Sequence, residues 1–209
     1  MRVLVIASQK GGVGKTTLAG HLGVMAQESG AGPVALIDTD PQASLAHWWN
    51  QRRAETPLFA ALNIAHLSNH IQRLAKGGVK LAIIDTPPAV TDTIRSVISV
   101  ADLVLVPTRP SPHDLRAVGS TVDLVEEACK RLVFVINGAA ARAKITGESA
   151  VALSQHGTVA PVTLYQRTDY ASSMIDGRTV WELDRNSRSA GEVAELWKYV
   201  FKQLRKASS

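Results

Sequence analysis

Runs of aliphatic residues alternate with amphipathic segments along the chain, and this pattern predicts alternating strands and helices. Near-continuous Val, Ile and Leu runs are typical of strands buried on both faces. They predict strands at residues 3–8, 33–38, 62–67, 79–88, 102–108, 131–137 and 159–165. The segments between them predict helices at 16–29, 45–54, 68–77, 92–100, 113–130 and 147–157, with two more after the last strand, the final one over 189–206.

Strands that alternate with helices favour a parallel sheet, because parallel neighbours need a crossover connection that is usually helical. The sequence therefore predicts the α/β class, with a single doubly wound, mostly parallel sheet and helices on both faces. No linker, repeat or low-complexity segment divides residues 1–209, so we expect one domain. Polar residues follow several strands directly, and the ligand crevice of such a sheet lies outside those strand ends.

The composition is that of a soluble globular protein, with 45% hydrophobic and 20% charged residues. A single cysteine, Cys129, excludes a disulfide framework and an internal multi-cysteine metal site, and it suits a cytoplasmic location. No apolar run approaches the roughly 20 residues that a membrane span needs. The net charge of +5 permits a polyanionic partner without requiring one.

The segment SQKGGVGKTT, residues 8–17, follows the first strand and opens the first helix, which is the context of a phosphate-binding loop. Its glycines let backbone amides turn toward an anion, and the helix N-terminus adds its dipole. Lys15 is predicted to reach the β- and γ-phosphates, Thr16 to hold Mg²⁺ through its hydroxyl, and Thr17 to meet the α-phosphate. The predicted nucleotide-binding residues of the loop are Lys10, Gly11, Gly12, Val13, Gly14, Lys15, Thr16 and Thr17.

The loop departs from the ordinary G-x-x-x-x-G-K-[ST] pattern at two positions. Gln9 stands where the first glycine is expected, and Lys10 adds a second lysine. Two other strand ends supply carboxylates. Asp85 closes LAIID in the manner of a Walker B aspartate, and DTDPQ offers Asp38 and Asp40. An aspartate at a strand end is often only a helix cap, but three that converge on a phosphate loop predict a metal shell and a group that orients water.

KGGVGKTT, DTDPQ and IIDTPP together resemble the ParA/MinD family of deviant Walker ATPases, in matching order from residue 1 to about 140. The stretch VPTRPSPHDLRAVGS is similar to that of small plasmid-partition ATPases, including the ParF type. The resemblance implies the P-loop NTPase fold, ATP and ADP as ligands with Mg²⁺, and slow ATP hydrolysis in an ATP-dependent homodimer.

Residue roles also follow from the resemblance. Lys10 would reach across the dimer to the partner's phosphates, like an arginine finger supplied in trans. Asp40 would position the attacking water, Asp38 and Asp85 would serve the Mg²⁺ shell, and 86–88 (Thr-Pro-Pro) would sense the γ-phosphate. Asn137 is either an adenine contact or an ordinary turn residue. The resulting catalytic set is Lys10, Lys15 and Asp40.

Two biological roles stay open, together with a third class. A ParA-type partition ATPase binds DNA non-specifically, associates with the nucleoid, and is reset by a ParB-like partner that stimulates hydrolysis. A MinD-like ATPase binds membrane through a basic amphipathic C-terminal helix. A metabolic ATP-dependent ligase is the third class.

The C-terminal third carries the residues that distinguish these roles. Residues 193–204 place Val193, Leu196, Trp197, Val200, Phe201 and Leu204 on one helical face. Such a face is typical of a helix docked on a core, which makes a membrane partner the less favoured alternative. The DNA-binding candidates, drawn from the family's use of basic residues in this third, are Arg167, Arg178, Arg185 and Arg188.

Overall fold

A computed structural model describes residues 1–88 and 92–206. Within these residues, seven strands form one sheet: β1 Arg2–Ile6, β2 Val34–Asp38, β3 Leu58–Phe59, β4 Leu81–Asp85, β5 Leu103–Thr108, β6 Leu132–Ala139 and β7 Thr158–Tyr165. Their order is β3-β2-β4-β1-β5-β6-β7, and every described pairing is parallel. The predicted doubly wound sheet is confirmed.

Ten α-helices lie in the described residues: α1 Lys15–Glu28, α2 Ser44–Asn50, α3 Leu67–Lys76, α4 Asp92–Ser99, α5 Pro112–Arg116, α6 Gly119–Glu127, α7 Lys144–Ser154, α8 Thr168–Ser173, α9 Val180–Leu183 and α10 Arg188–Lys206. Short 3₁₀ turns occupy Ile64–His66 and Met174–Asp176.

The sheet has a hydrophobic core on each face, because alternate strand residues point to opposite sides. Leu4 and Ile6 of β1 face a core that includes α1, α2 and α10. Val3 and Val5 face the other core, to which α4 and α6 contribute most of the helical residues. Helix α1 lies so close to β2 that a methyl group added at Gly23 would come within 2.6 Å of Leu36. This packing holds the helix that follows the phosphate-binding loop firmly against the sheet.

Three predicted elements differ from the structure. Residues 62–67 do not form a strand, because Asn63 caps a 3₁₀ turn by accepting a hydrogen bond from the Ala65 amide, and the edge strand is Leu58–Phe59 instead. The predicted helix 113–130 is divided into α5 and α6, and Thr121 near the start of α6 accepts a hydrogen bond from the Gln9 amide. Between β7 and residue 206, the last one described, the chain forms three α-helices and a 3₁₀ turn where two helices were expected.

Helix α10 docks on the core, as the pattern of its apolar face favoured. Val193, Leu196, Trp197, Val200 and Leu204 are buried in the core shared with α1 and the sheet. Phe201, which was predicted on the same face, is 38% exposed. None of the described helices combines the length and the apolarity that crossing a membrane requires.

Candidate functional site

The loop between β1 and α1 crosses the carboxyl edge of the sheet at its central strand. Gly12 and Gly14 have φ of 73° and 92°, in the left-handed region that glycine adopts without strain. Gly14 is the residue that caps α1. The two glycines therefore allow the tight turn that presents backbone amides at a helix N-terminus, the arrangement that binds phosphate.

The two lysines of this loop have opposite environments. Lys15 is only 7% exposed, and its Nζ donates to the backbone oxygen of Lys10 at 3.3 Å. Burial lowers the pKa of Lys15, while the nearby carboxylates of Asp85 and Asp40 act to raise it. Lys10 is exposed. One ammonium group thus lies inside the loop and the other lies at the surface of the same loop.

Asp85 is the last residue of β4 and is fully buried. The Thr16 hydroxyl donates to its Oδ2 at 2.5 Å. Burial raises the pKa of Asp85 to about 7, although the hydrogen bond from Thr16 acts in the opposite direction. Its Oδ1 is buried and has no hydrogen-bond partner among the described residues, which is costly unless a ligand or water supplies one.

The groups around Asp85 fit a magnesium ion held together with a nucleotide. Carboxylate and hydroxyl oxygens are the ligands that Mg²⁺ prefers, and the unpartnered Oδ1 can accept from a metal-bound water. Within 1–88 and 92–206, no group of three or more His, Cys, Asp or Glu could hold a metal ion. Phosphate oxygens and water would therefore have to complete the coordination shell around Thr16 and Asp85.

Asp38 and Asp40 have different surroundings. Asp38 is the register partner of Asp85 in the sheet. Its Oδ2 accepts from the amides of Leu45 and Ala46 at 3.0 Å, so the carboxylate caps the start of α2. Asp40 is partly exposed, and its carboxylate accepts from the Gln42 amide at 3.0 Å. The water-positioning role of Asp40 and the metal role of Asp38 stay predictions.

Side chains from distant strands and helices brace the phosphate-binding loop. The Asn137 amide, near the end of β6, donates to the Val13 backbone oxygen at 2.6 Å. Its proposed adenine contact stays a prediction, but the structure assigns this residue a loop contact as well. Gln9 accepts from the Ser120 hydroxyl at 2.6 Å and thereby ties the loop to α6. The residue that replaces the first glycine of the pattern therefore anchors the loop.

A cavity of about 170 Å³ opens beside the loop, on the β6–β7 side. Gly14, Thr17 and Asn137 line one part of it, and Tyr165 and Tyr170 line another. The cavity begins at residues that flank the loop, which makes it the candidate site for the nucleoside of a nucleotide whose phosphates occupy the loop. Its size suits a base, and its mixed apolar and polar lining is typical of a small-molecule site.

His21 lines this cavity and was not predicted as a site residue. It is 1% exposed, and its Nδ1 donates to the Thr17 backbone oxygen at 2.8 Å. Its Nε2 accepts from the Val180 amide at 3.3 Å, which fixes the neutral tautomer. Burial lowers the pKa of His21 to about 4. No spacing in the sequence indicates this residue, because its partners belong to α1 and to the distant helix α9.

Three of the four arginines predicted as DNA-binding candidates form ion pairs within the chain. Arg167 pairs with Glu192 at 2.6 Å, Arg178 with Asp176 at 2.6 Å and Arg185 with Glu28 at 2.9 Å. Arg188 is exposed at the start of α10. The pairs of Arg178 and Arg185 are half-exposed, so they contribute little to stability and can be given up for phosphate at small cost.

Comparisons with known proteins agree with this geometry. Residues 4–180 match the CobQ/CobB/MinD/ParA nucleotide binding domain. The chain is 28% identical over 200 residues to "Maintenance of carboxysome distribution protein A" of Halothiobacillus neapolitanus, covering 90% of this chain and 91% of that protein. It is 30% identical over 222 residues to "Protein ParA" of Rhizobium radiobacter, covering 99% of each.

Among solved structures, the septum site-determining protein MinD of Pyrococcus horikoshii OT3, complexed with Mg-ADP, has a TM-score of 0.81 at 17% identity and covers 100% of this chain and 99% of its own. At that identity the likeness shows the fold. The matched domain, the full-length similarity to ParA and the phosphate-binding loop lead to one conclusion: the chain belongs to the CobQ/CobB/MinD/ParA family of nucleotide-binding proteins.

Proposed function

We propose that this protein is a ParA-type ATPase that positions DNA or another cargo. ATP closes two chains into a homodimer, the dimer binds non-specific DNA, and a ParB-like partner resets it by stimulating hydrolysis. One relative is named for the maintenance of carboxysome distribution and the other is a ParA protein, which supports a positioning role. The place of action would be the cytoplasm, on the nucleoid.

One observation carries the proposal: the loop has a buried lysine and an exposed lysine. Lys15 already serves the loop's own phosphates, so a second ammonium group at its surface is not needed within the chain. An exposed cation beside a triphosphate can instead stabilise charge on a neighbouring copy's phosphoryl group. Without the γ-phosphate, two such lysine-bearing faces repel each other, which makes dimerisation depend on ATP.

The residues of one chain divide the chemistry among them. The loop amides and Lys15 bind and orient the phosphates, and Thr17 meets the α-phosphate. Thr16 and Asp85 would hold Mg²⁺, with Asp38 supporting that shell; the ion neutralises phosphate charge when it is bound. Asp40 orients the attacking water and accepts its proton. Lys10 from the partner completes the set, so free monomers should turn over slowly.

The membrane-binding alternative lacks support from α10. Most of its apolar face is buried against the sheet and α1, so the helix would have to leave the core before it could lie on a bilayer. DNA binding gains support from the exposed arginine Arg188 and from the ion pairs of Arg178 and Arg185, which phosphate can replace.

The test of the dimer compares Lys10→Ala with Lys76→Ala, an exposed lysine at the end of α3. Sedimentation velocity should show an ATP-dependent dimer for the wild type and for Lys76→Ala. Lys10→Ala should bind ATP but remain monomeric. A Lys10→Ala protein that dimerises fully with ATP would overturn the role of Lys10 in trans.

The test of the partner uses co-sedimentation with random-sequence duplex DNA and, separately, with anionic vesicles, each with ATP and with ADP. We expect ATP-dependent DNA binding that weakens steeply with salt. Binding to vesicles without binding to DNA would replace this proposal with the MinD-like role. Turnover by the monomer that depends on a small substrate would replace it with a ligase.

A further inference from the structure

One wall of the nucleoside cavity is a short segment that α10 holds in place. This wall segment, residues 165–171, follows β7 and forms the start of α8. Five of its seven residues line the cavity, together with Gly14 and Thr17. Its outer side faces the beginning of α10, where Glu192 and Ser189 lie. The shape of the cavity therefore depends on how firmly α10 holds this segment.

The carboxylate of Glu192 accepts four hydrogen bonds from the wall segment. Its Oε2 accepts from the Tyr165 amide at 3.1 Å and from the Tyr170 hydroxyl at 3.0 Å. Its Oε1 accepts from two nitrogens of Arg167, at 2.6 and 3.0 Å. The side chain of Glu192 is 13% exposed, so these bonds form largely away from water.

Such a network fixes the wall more tightly than isolated surface contacts do. Hydrogen bonds to an ionised acceptor in a poorly solvated place are stronger than neutral ones, and their loss leaves several donors unpaired at once. The Glu192 interaction raises the pKa of the Arg167 guanidinium, and burial with the adjacent Glu192 charge raises the pKa of the Tyr170 phenol. Arg167 therefore stays charged and Tyr170 stays neutral at neutral pH.

Glu192 is not among the residues that line the cavity. Glu192 instead binds Tyr165, Arg167 and Tyr170, and these three residues line the cavity. We propose that Glu192 is a positioning residue for nucleotide binding, which holds residues 165–171 in the conformation that accepts the nucleoside of ATP or ADP. This inference rests on the proposed nucleotide site and adds a residue to it.

The test compares Glu192→Gln with Glu195→Gln, which makes the same chemical change at an exposed position of the same helix. Calorimetric titration of the full chain with ADP and Mg²⁺ measures Kd directly. Glu192→Gln should weaken ADP binding about tenfold, because the glutamine amide cannot satisfy all four donors and lacks the charge. Glu195→Gln should bind ADP like the wild type.

Steady-state ATPase measurements separate positioning from chemistry. Glu192→Gln should raise KM for ATP by a similar factor and leave kcat at saturating ATP within about twofold, since the phosphate-binding groups are intact. Unchanged ADP affinity in a folded Glu192→Gln protein would overturn the inference, and so would a fall in kcat with unchanged affinity.

Tyr170→Phe provides a second variant that removes one donor and keeps the ring. It should weaken ADP binding less than Glu192→Gln, and the double variant should be no worse than Glu192→Gln alone, because both changes act through one contact. Fully additive losses would contradict the action of both residues through one contact. If Glu192→Gln does not fold, wild-type ADP affinity in Tyr170→Phe would overturn the inference.

The ADP titration also separates this inference from the proposed function, because it requires neither a dimer nor DNA. If the wild type binds ADP and the variants bind it equally well, only this inference fails. If the wild type does not bind ADP, the proposed function fails too.

Discussion

The two sides of the central loop differ in how they use the same edge of the sheet. On the β2–β4 side, Asp38 and Asp85 lie in register, and their carboxylates are engaged by backbone amides or by Thr16. On the β6–β7 side, Asn137 and the wall segment surround an open cavity of about 170 Å³. One side presents closely packed oxygen atoms, and the other presents a space lined by rings and amides.

This difference separates two tasks that a nucleotide requires. Packed carboxylates suit a hydrated cation and an attacking water, both of which need charge and fixed direction. A concave, partly apolar space suits a base, which needs contact area. Changes on the acidic side should therefore alter turnover, and changes on the cavity side should alter affinity. Only changes in the loop between them should affect both.

The largest effect is expected at the loop itself, from Lys15→Ala. Removal of the buried ammonium group would leave the phosphates without their main cationic partner. The loss of one buried charged contact typically costs several kcal/mol of binding free energy. Nucleotide affinity should fall by about 10³-fold, or become too weak to measure by calorimetry. Lys10→Ala is the matched control, because it should keep monomeric affinity; equal losses in the two variants would contradict the distinct roles of the lysines.

A smaller effect on turnover is expected on the acidic side, from Asp40→Ala. Hydrolysis should fall by about 10²-fold, the usual scale for losing a group that orients or deprotonates water. ATP affinity should change little, and an ATP-bound dimer should accumulate in single-turnover experiments. Asp40→Asn keeps an acceptor for the Gln42 amide but removes the charge. Near-normal turnover in this variant would mean that Asp40 stabilises the local turn and does not take part in hydrolysis.

The smallest effect on turnover is expected on the cavity side, where His21→Gln should instead change how stability depends on pH. The folded-state pKa of His21 is about 4, against an ordinary 6.5, so between these values the unfolded chain binds the extra proton. Wild-type stability should therefore be fully present above pH 6.5 and should fall by up to about 3 kcal/mol on the way to pH 4.

Urea unfolding at several pH values measures this contribution. His21→Gln should show a shallower decline between pH 6.5 and pH 4, whatever its stability at neutral pH. His156→Gln, at an exposed histidine, should follow the wild type. If the free energy of unfolding falls with pH equally in His21→Gln and the wild type, protonation of the buried imidazole does not cause the loss of stability in acid.

Sequence patterns could not predict the long-range contacts that fix the geometry of the site. Asn137 binds Val13 across 124 residues of chain, and His21 binds Val180 across 159. The metal role of Asp38 stays a prediction, and the contact of its carboxylate with the amides at the start of α2 had no signal in the sequence. Three of the four arginine candidates form ion pairs. Arg178 pairs with Asp176 two residues away, whereas Arg167 and Arg185 pair with acids on distant helices.

The sequence by itself determined the α/β class, the phosphate-binding loop and the carboxylates that follow β2 and β4. Those features are local: strand burial is read from aliphatic runs, and a left-handed turn is read from glycines. Only the tertiary structure decided which lysine is buried, where a cavity opens beside the loop and which carboxylate binds residues 165–171. These depend on the packing of elements far apart in the chain, and no local pattern specifies which side chains that packing brings within hydrogen-bond distance.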